Sequence, residues 1–245
     1  MGRRRARNED ALGLEEGSGL ALVADGIGGL PAGDVASALA VSAARSHLGD
    51  GRLPAALSTL PGSRSPLGER MLEAVFVADQ RVRMEAAADP AKAGMGTTLT
   101  ALALRADEGR AVIGHVGDSR AYLYRDGRLL QLTRDDSWVQ EQMDSGRLSA
   151  GEARGHPWAH VITQGVGVGD EIAPELVERD AAPGDVYLLC TDGLTTMLTD
   201  VAIERSLAVA LPAGLDAATR SLVDAANDCG GYDNITVVLV RIDAD

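Results

Sequence analysis

The amino-acid sequence predicts an α+β fold in which two antiparallel β-sheets pack face to face, each covered on its outer side by a pair of helices. Three features of the 245-residue chain indicate this arrangement: short apolar segments separated by turns, two pairs of helical segments interleaved with them, and no internal repeat, linker or low-complexity stretch. We therefore expect a single domain over residues 1–245, long enough to bury a sizeable core.

A hairpin and a helix pair form the first part of this pattern. Residues 10–15 alternate weakly between polar and apolar, residues 18–25 are strongly apolar, and Glu16-Gly17 supplies a turn between them. Apolar residues then recur twice at helical spacing. The predicted helices cover residues 31–49 and 67–88, with a Pro-, Gly- and Ser-rich loop expected over residues 51–68.

A β-meander is predicted next, with a turn at Asp126-Gly127 between two of its strands. Its four strands are expected over residues 97–104, 111–117, 121–125 and 129–132. A strand over residues 186–191 follows after an interruption, and then come two helices and a closing strand, expected over residues 200–211, 215–229 and 235–242. Thr199 or Asp200 is the expected N-cap of the first of these helices.

The interruption, residues 137 to about 175, breaks the β pattern. It contains a capping box, Ser149-Ala150-Gly151-Glu152, that predicts a short helix, and three glycines at positions 165, 167 and 169. This freedom of the backbone is compatible with a mobile flap beside an active site or with an ordinary surface excursion.

Composition excludes several classes of function. The formal charge is −13 and aromatic residues make up only 3% of the chain, which disfavours a phosphate-backbone or base-stacking interface with nucleic acid. No apolar run approaches the length of a membrane span. The two cysteines, Cys190 and Cys229, are too few for a disulfide scaffold. We therefore expect a cytoplasmic protein, a monomer, with no nucleic-acid or membrane partner.

Aspartates recur at the edges of the predicted strands. An apolar segment ends at Asp25 and passes directly into a glycine-rich turn, which alone is compatible with a hard-metal site, a phosphate-cradling loop or a tight turn. Similar settings occur at Asp118, Asp192 and Asp233. Four such carboxylates form a suitable ligand set for Mg²⁺ or Mn²⁺, and two such ions that share a carboxylate can promote in-line phosphoryl displacement.

Short motifs around these aspartates follow one another in a specific order. They are Arg-Asn-Glu-Asp, Ala-Asp-Gly-Ile-Gly-Gly, Gly-Asp-Val-Ala-Ser, Gly-Thr-Thr, Val-Gly-Asp-Ser-Arg, Cys-Thr-Asp-Gly-Leu and Tyr-Asp-Asn-Ile-Thr. In this order they closely resemble the metal-dependent protein serine/threonine phosphatases of the protein phosphatase 2C family, in their short bacterial form, from about Gly2 to Ile242. The resemblance implies a four-layer α-β-β-α sandwich. It also implies hydrolysis of phosphoserine and phosphothreonine in proteins by a hydroxide that bridges two Mn²⁺ or Mg²⁺ ions, with no phosphoenzyme.

The resemblance also assigns roles to individual residues. Asp25 matches the carboxylate that bridges the two metals, Gly26 would offer its carbonyl to one ion, and Asp192 and Asp233 would bind the other. Glu9 and Asp10 match residues that hold metal-bound waters. Asn234 is expected to hydrogen-bond backbone near the site.

Three further positions complete the comparison with the family. Asp118 matches an aspartate that helps bind a third, weaker metal in bacterial relatives; the alternative is a carboxylate that only hydrogen-bonds Ser119, Arg120 or coordinated water. Arg5 matches the arginine that grips the substrate phosphate, a task suited to the guanidinium fork. Ile27 stands where eukaryotic relatives often have a histidine proposed as the general acid, so that role is unassigned.

The expected function is therefore removal of phosphate from phosphorylated proteins, including a Ser/Thr kinase and its targets. One alternative is an enzyme of the same fold that is dedicated to a single regulator, such as an anti-sigma-factor antagonist. The other is a pseudophosphatase that recognises phosphoproteins without turnover.

Overall fold

In the computed structural model, which describes residues 2–49 and 64–243, the described chain forms nine strands. Their bounds are β1 Asp10–Glu15, β2 Leu20–Asp25, β3 Leu99–Arg105, β4 Arg110–Val116, β5 Arg120–Arg125, β6 Arg128–Gln131, β7 Glu175–Asp180, β8 Val186–Cys190 and β9 Val237–Arg241. All pairings are antiparallel, in a five-stranded sheet of order β1-β2-β3-β4-β7 and a four-stranded sheet of order β6-β5-β8-β9.

Helices cover the outer faces of both sheets. Their bounds are α1 Gly33–Gly49, α2 Pro66–Ala88, α3 Trp138–Asp144, α4 Ala150–Arg154, α5 Asp192–Thr195, α6 Asp200–Ala210 and α7 Leu215–Asp228. One apolar layer lies between α1, α2 and the five-stranded sheet, a second between the two sheets, and a third between the four-stranded sheet and α6, α7. The predicted α-β-β-α sandwich is therefore confirmed. None of the helices in the described ranges combines the length and the apolar character that crossing a bilayer requires.

The predicted hairpin is confirmed, and its register matters for function. β1 and β2 pair so that Asp10 lies opposite Asp25. The strongly apolar β2 is buried along almost its whole length, with Leu22 in the layer beneath the helices and Val23 in the layer between the sheets. A slip of one residue would exchange the two sets of side chains between these layers, so the packing of both layers fixes the register. Two carboxylates consequently meet at one end of the sheet.

The predicted meander is wrong in its connectivity, although its four strands exist. β3 and β4 belong to the five-stranded sheet, whereas β5 and β6 belong to the four-stranded sheet. The chain crosses between the sheets at Gly117, which has a positive φ of 109°. Its Cα lies close to Thr98, so that a Cβ added to Gly117 would be 2.6 Å from the methyl carbon of Thr98. This crossover, which only glycine fits without strain, delivers Asp118 to the gap between the sheets.

Strand β7 was not predicted. Its sequence Glu-Leu-Val-Glu-Arg-Asp has four charged residues and only two apolar ones, which suits a strand at the edge of its sheet, where β4 is its one neighbour among the described strands. The predicted loop over residues 51–68 falls mostly on residues 50–63, which lie outside the described residues; its last part, from Pro66, is the first turn of α2, capped by Ser65.

The segment expected as a flap contains the predicted short helix, α4, together with α3, and its C-terminal part is tied to the core. The capping box of Ser149 and Glu152 is confirmed, and Thr199 caps α6. Asp79 and Arg83 of α2 form an ion pair of 2.6 Å. The other carboxylate oxygen of Asp79 and the two other nitrogens of the Arg83 guanidinium form hydrogen bonds with backbone groups of residues 167–169. Mobility of this segment stays a prediction.

Candidate metal centre

Strand ends and tight connections bring the four predicted aspartates to one cleft. Asp25 ends β2, Asp118 lies in the crossover after β4, Asp192 begins α5 directly after β8, and Asp233 precedes β9. All four line a cleft of about 480 Å³, together with Arg5. Aspartates up to 208 positions apart in the chain are therefore neighbours at one end of the sandwich.

The backbone at Asp25 and Gly26 is held rigidly. The amide of Asp25 donates to Thr98 Oγ1 (2.9 Å), and the Asp25 carbonyl accepts from the Thr98 amide (2.9 Å) and from Thr97 Oγ1 (2.8 Å). A Cβ on Gly26 would lie 2.5 Å from the carbonyl of Gly33 and 2.8 Å from that of Glu9, so glycine is required for this close approach. These contacts fix the Asp25 carboxylate and the adjacent peptide in one geometry.

Two buried carboxylate oxygens lack partners. Asp10 Oδ2 accepts from Thr191 Oγ1 (2.9 Å) and Thr236 Oγ1 (2.6 Å), but Asp10 Oδ1 and Asp192 Oδ1 are buried with no hydrogen-bond partner among the described residues. Leaving such an atom unsatisfied is costly. A hard cation and its coordinated waters would satisfy both oxygens, so these residues fit a Mg²⁺ or Mn²⁺ centre.

Burial and mutual repulsion raise the pKa values of Asp25, Asp118 and Asp192. Burial raises the pKa of Asp25 well above its ordinary value, and the charges of Asp192, Asp10 and Asp118 add to the effect. Burial, followed by the charge of Asp192, also raises the pKa of Asp118 well above its ordinary value. Burial, followed by the charge of Asp233, raises the pKa of Asp192 to about 6. A bound cation would relieve this repulsion between negative charges, so the cluster favours the binding of cations.

Arg5 lies against the acidic cluster. Its Nη2 is 2.6 Å from Asp233 Oδ2, and this hydrogen bond raises the pKa of Arg5. The Asn234 amide donates to the other oxygen of Asp233 (2.8 Å). The Asn234 side chain accepts from the Glu9 amide (2.8 Å) and donates to the Arg7 carbonyl (2.9 Å), which confirms its expected backbone hydrogen bonds and places Glu9 at the cluster.

No group of three His, Cys, Asp or Glu side chains within the described ranges is already arranged to hold one ion. Arg5 and the Asn234 amide engage both oxygens of Asp233, so this carboxylate is partnered by protein donors. These residues therefore fit an ion whose coordination is completed by carbonyl oxygens and waters, as that of Mg²⁺ commonly is. They fit an ion enclosed only by carboxylates less well.

The structure adds residues that sequence reasoning did not single out. Thr98 Oγ1 contacts Ser119 Oγ (2.7 Å), and Asp136 both accepts from the Gly117 amide (3.0 Å) and donates its own amide to the Gly117 carbonyl (2.7 Å). Thr98 could have been predicted as a site residue because it lies in the Gly-Thr-Thr motif. Asp136 could not, because no sequence motif around it indicates that it supports the crossover.

Histidines contribute little to the cleft. His115 is fully buried, and its ring nitrogens lie 2.9 Å from Thr100 Oγ1 and 3.1 Å from the Arg134 carbonyl oxygen, so it belongs to the core. His156 stacks on Trp138, and only His160 of the two flap histidines lines the cleft.

Comparison with known proteins identifies the family. The sequence profile described as protein phosphatase 2C matches residues 2–225. The chain is 39% identical over 238 residues to serine/threonine protein phosphatase PstP of Mycobacterium tuberculosis, covering 97% of this chain but only 43% of PstP. It is 35% identical to protein phosphatase PhpP of Streptococcus pneumoniae, covering 100% of this chain and 96% of PhpP.

A solved structure supports the same relationship. The catalytic domain of PstP in complex with two manganese ions superposes with a TM-score of 0.82 at 36% identity, over 99% of this chain and 95% of that one. With the ordered motifs, the sandwich architecture and the carboxylates gathered in its cleft, these matches show that the chain belongs to the protein phosphatase 2C family.

Proposed function

We propose that the chain is a metal-dependent phosphatase that hydrolyses phosphoserine and phosphothreonine in proteins, with residues 1–245 forming one catalytic domain and residues 137–175 its flap. The observation that carries the proposal is the convergence of four aspartates and Arg5 in one cleft, with two buried carboxylate oxygens unsatisfied among the described residues. The relatives named as serine/threonine phosphatases support the substrate class.

The cofactors we infer are two Mn²⁺ or Mg²⁺ ions. Asp25 and the Gly26 carbonyl would hold one, and Asp25 with Asp192 and Asp233 the other, while Asp118 would contribute to a third, weaker site. Glu9 and Asp10 would orient coordinated waters by hydrogen bonding. When bound, such ions lower the pKa of an attacking water and neutralise charge on the phosphoryl group.

The protein's own residues position the substrate. One guanidinium nitrogen of Arg5 donates a hydrogen bond to Asp233. This contact orients the guanidinium plane toward the cleft, which Arg5 lines. Gly28 leaves room for this group, since a Cβ there would lie 3.1 Å from Arg5 Nη2. The remaining donors of the fork suit two phosphoryl oxygens. Ile27 also lines the cleft and cannot transfer a proton, so it shapes the cleft without acting as an acid.

The partners we infer are phosphorylated proteins, including an opposing Ser/Thr kinase and its targets, with the enzyme acting as a cytoplasmic monomer. Cys190 and Cys229 are both free thiols, which suits a reducing compartment. The net charge of −13 disfavours nucleic acid as a partner.

Phosphate release from p-nitrophenyl phosphate and a phosphothreonine peptide tests this proposal. We expect turnover with Mn²⁺ or Mg²⁺, its loss in EDTA, and its recovery when metal is added back. Binding of the phosphopeptide without any turnover at saturating metal would instead identify a pseudophosphatase and overturn the proposal.

A further inference from the structure

The cleft is larger than a phosphoryl group requires. Its volume of about 480 Å³ lies within the range of about 300–1,000 Å³ typical of pockets that hold whole small molecules. Besides the aspartates and Arg5, four apolar or aromatic side chains line it: Ile27, Ile162, Met197 and Tyr232. None of these is an oxygen-rich ligand of the kind that Mg²⁺ or Mn²⁺ prefers, and among them only Tyr232 carries a donor, its hydroxyl, for a phosphate. This mainly apolar lining therefore indicates a different use.

The wall at Tyr232 is built by the N-terminal segment. The amide of Arg3 donates to the Gly231 carbonyl (2.8 Å), and its guanidinium pairs with Asp228 (2.8 Å). The guanidinium of Arg4 lies over the Tyr232 ring, 5.6 Å from its centre. The ring is therefore held in place beside the cleft, yet its residue remains 58% exposed.

The other apolar residues are also fixed by the fold. Ile162 forms a β-bridge with Ser137, and the next residue, Thr163, donates its amide to the Asp136 carbonyl (2.8 Å). Met197 follows α5, the helix that begins with Asp192. Ile162 and Met197 are half-buried, and Met197 also packs against the apolar layer beneath α6 and α7. The apolar surface that these residues and Tyr232 leave accessible in the cleft is typical of a surface that receives a ligand.

We propose that this apolar part of the cleft, formed by Tyr232, Met197 and Ile162, binds a side chain next to the phosphorylated residue and makes the enzyme selective for phosphoproteins with an apolar residue at that position. The inference rests on the proposed phosphatase function, because the peptide is anchored by its phosphate at Arg5 and the aspartates. Burial of an apolar neighbour against these side chains stabilises the complex, whereas a small polar neighbour leaves them exposed to water.

The test compares two phosphothreonine peptides that are identical except that leucine or serine flanks the phosphothreonine on both sides. We expect the wild-type protein with Mn²⁺ to hydrolyse the leucine peptide with a kcat/KM about tenfold higher, mainly through KM. Tyr232→Ser combined with Met197→Ser is expected to reduce this ratio to near one. Tyr232→Ser alone, a change at an exposed ring that the fold tolerates, should reduce it in part.

Matched variants separate selectivity from structural damage. Tyr232→Phe with Met197→Leu should keep the ratio, and so should Val209→Ser, which alters an 82% exposed side chain on α6. Equal kcat/KM for the two peptides in the wild type, or an unchanged ratio in the double serine variant, would overturn this inference alone. Absence of turnover on p-nitrophenyl phosphate and on both peptides would overturn the proposed function as well.

Discussion

Asp192→Asn is expected to abolish metal-dependent turnover while making the metal-free protein more stable. The variant loses a charged ligand of the proposed centre, so we expect a fall in kcat/KM of at least about 10³-fold with saturating Mn²⁺. The same change removes a carboxylate whose charged form is destabilised by burial and by the charges of Asp233 and Asp10. Activity and stability therefore move in opposite directions.

The pH dependence of this stability gain follows from the raised pKa of Asp192. The folded protein holds the proton up to about pH 6, against an ordinary value of 3.8, so it binds more protons than the unfolded chain between these values. Stability is consequently lost as pH rises through this window. Asparagine cannot ionise, so at pH 7.5 the variant should gain up to about 3 kcal/mol in the free energy of unfolding, and the gain should vanish near pH 4.

Urea unfolding of EDTA-treated protein at pH 4 and pH 7.5 measures this gain, and phosphopeptide hydrolysis with Mn²⁺ measures the loss of turnover. Asp224→Asn makes the same chemical change at an exposed position of α7 and should alter neither quantity. Retained turnover in Asp192→Asn would remove this residue from the proposed ligand set. A metal-free variant less stable than the wild type at pH 7.5 would contradict the electrostatic account of the cluster.

Gly193→Ala is expected to damage the centre without touching a ligand side chain. A Cβ at this position would lie 1.8 Å from the Asn234 carbonyl oxygen, a contact that only backbone movement can relieve. The two peptides in conflict adjoin Asp192 and Asp233, so relief displaces both carboxylates. A displacement of about 1 Å can cost about 10²-fold in rate, and overpacking costs about 1–3 kcal/mol of stability.

The kcat/KM of Gly193→Ala and its thermal unfolding test this expectation. Gly17→Ala is the matched control, because no atom outside its chain neighbours lies within 4 Å of the added methyl group. Wild-type kcat/KM in Gly193→Ala would show that the positions of Asp192 and Asp233 do not depend on this close approach.

Local patterns predicted the elements well where burial is one-sided and strong. The helices α1 and α2 were found because their periodicity reports one buried face, and β2 was found because it is a short continuous apolar run, buried on both faces of its sheet. Strand β7 escaped because an edge strand needs few apolar residues. The partner sheets of β3, β4, β5 and β6 depend on the crossover at Gly117, which the sequence around it does not distinguish from a hairpin turn.

The candidate site shows the same division. The aspartates were recognisable because each lies at the edge of an apolar strand, beside glycine or a small polar residue. The contacts that determine the chemistry of these aspartates join distant parts of the chain, so they cannot be predicted from the residues around each aspartate. Arg5 meets Asp233 across 228 positions, and Asp10 accepts from Thr236 across 226. Such contacts follow from the register of the strands and the packing of the two sheets.

Calorimetric titration of EDTA-treated protein with Mn²⁺ tests the central claim, a two-metal centre that shares Asp25, most directly. We predict two equivalents in the wild type, loss of both in Asp25→Asn, and loss of at most a weaker third equivalent in Asp118→Asn. Absence of Mn²⁺ binding by the wild type, or two equivalents bound with unchanged affinity by Asp25→Asn, would contradict it.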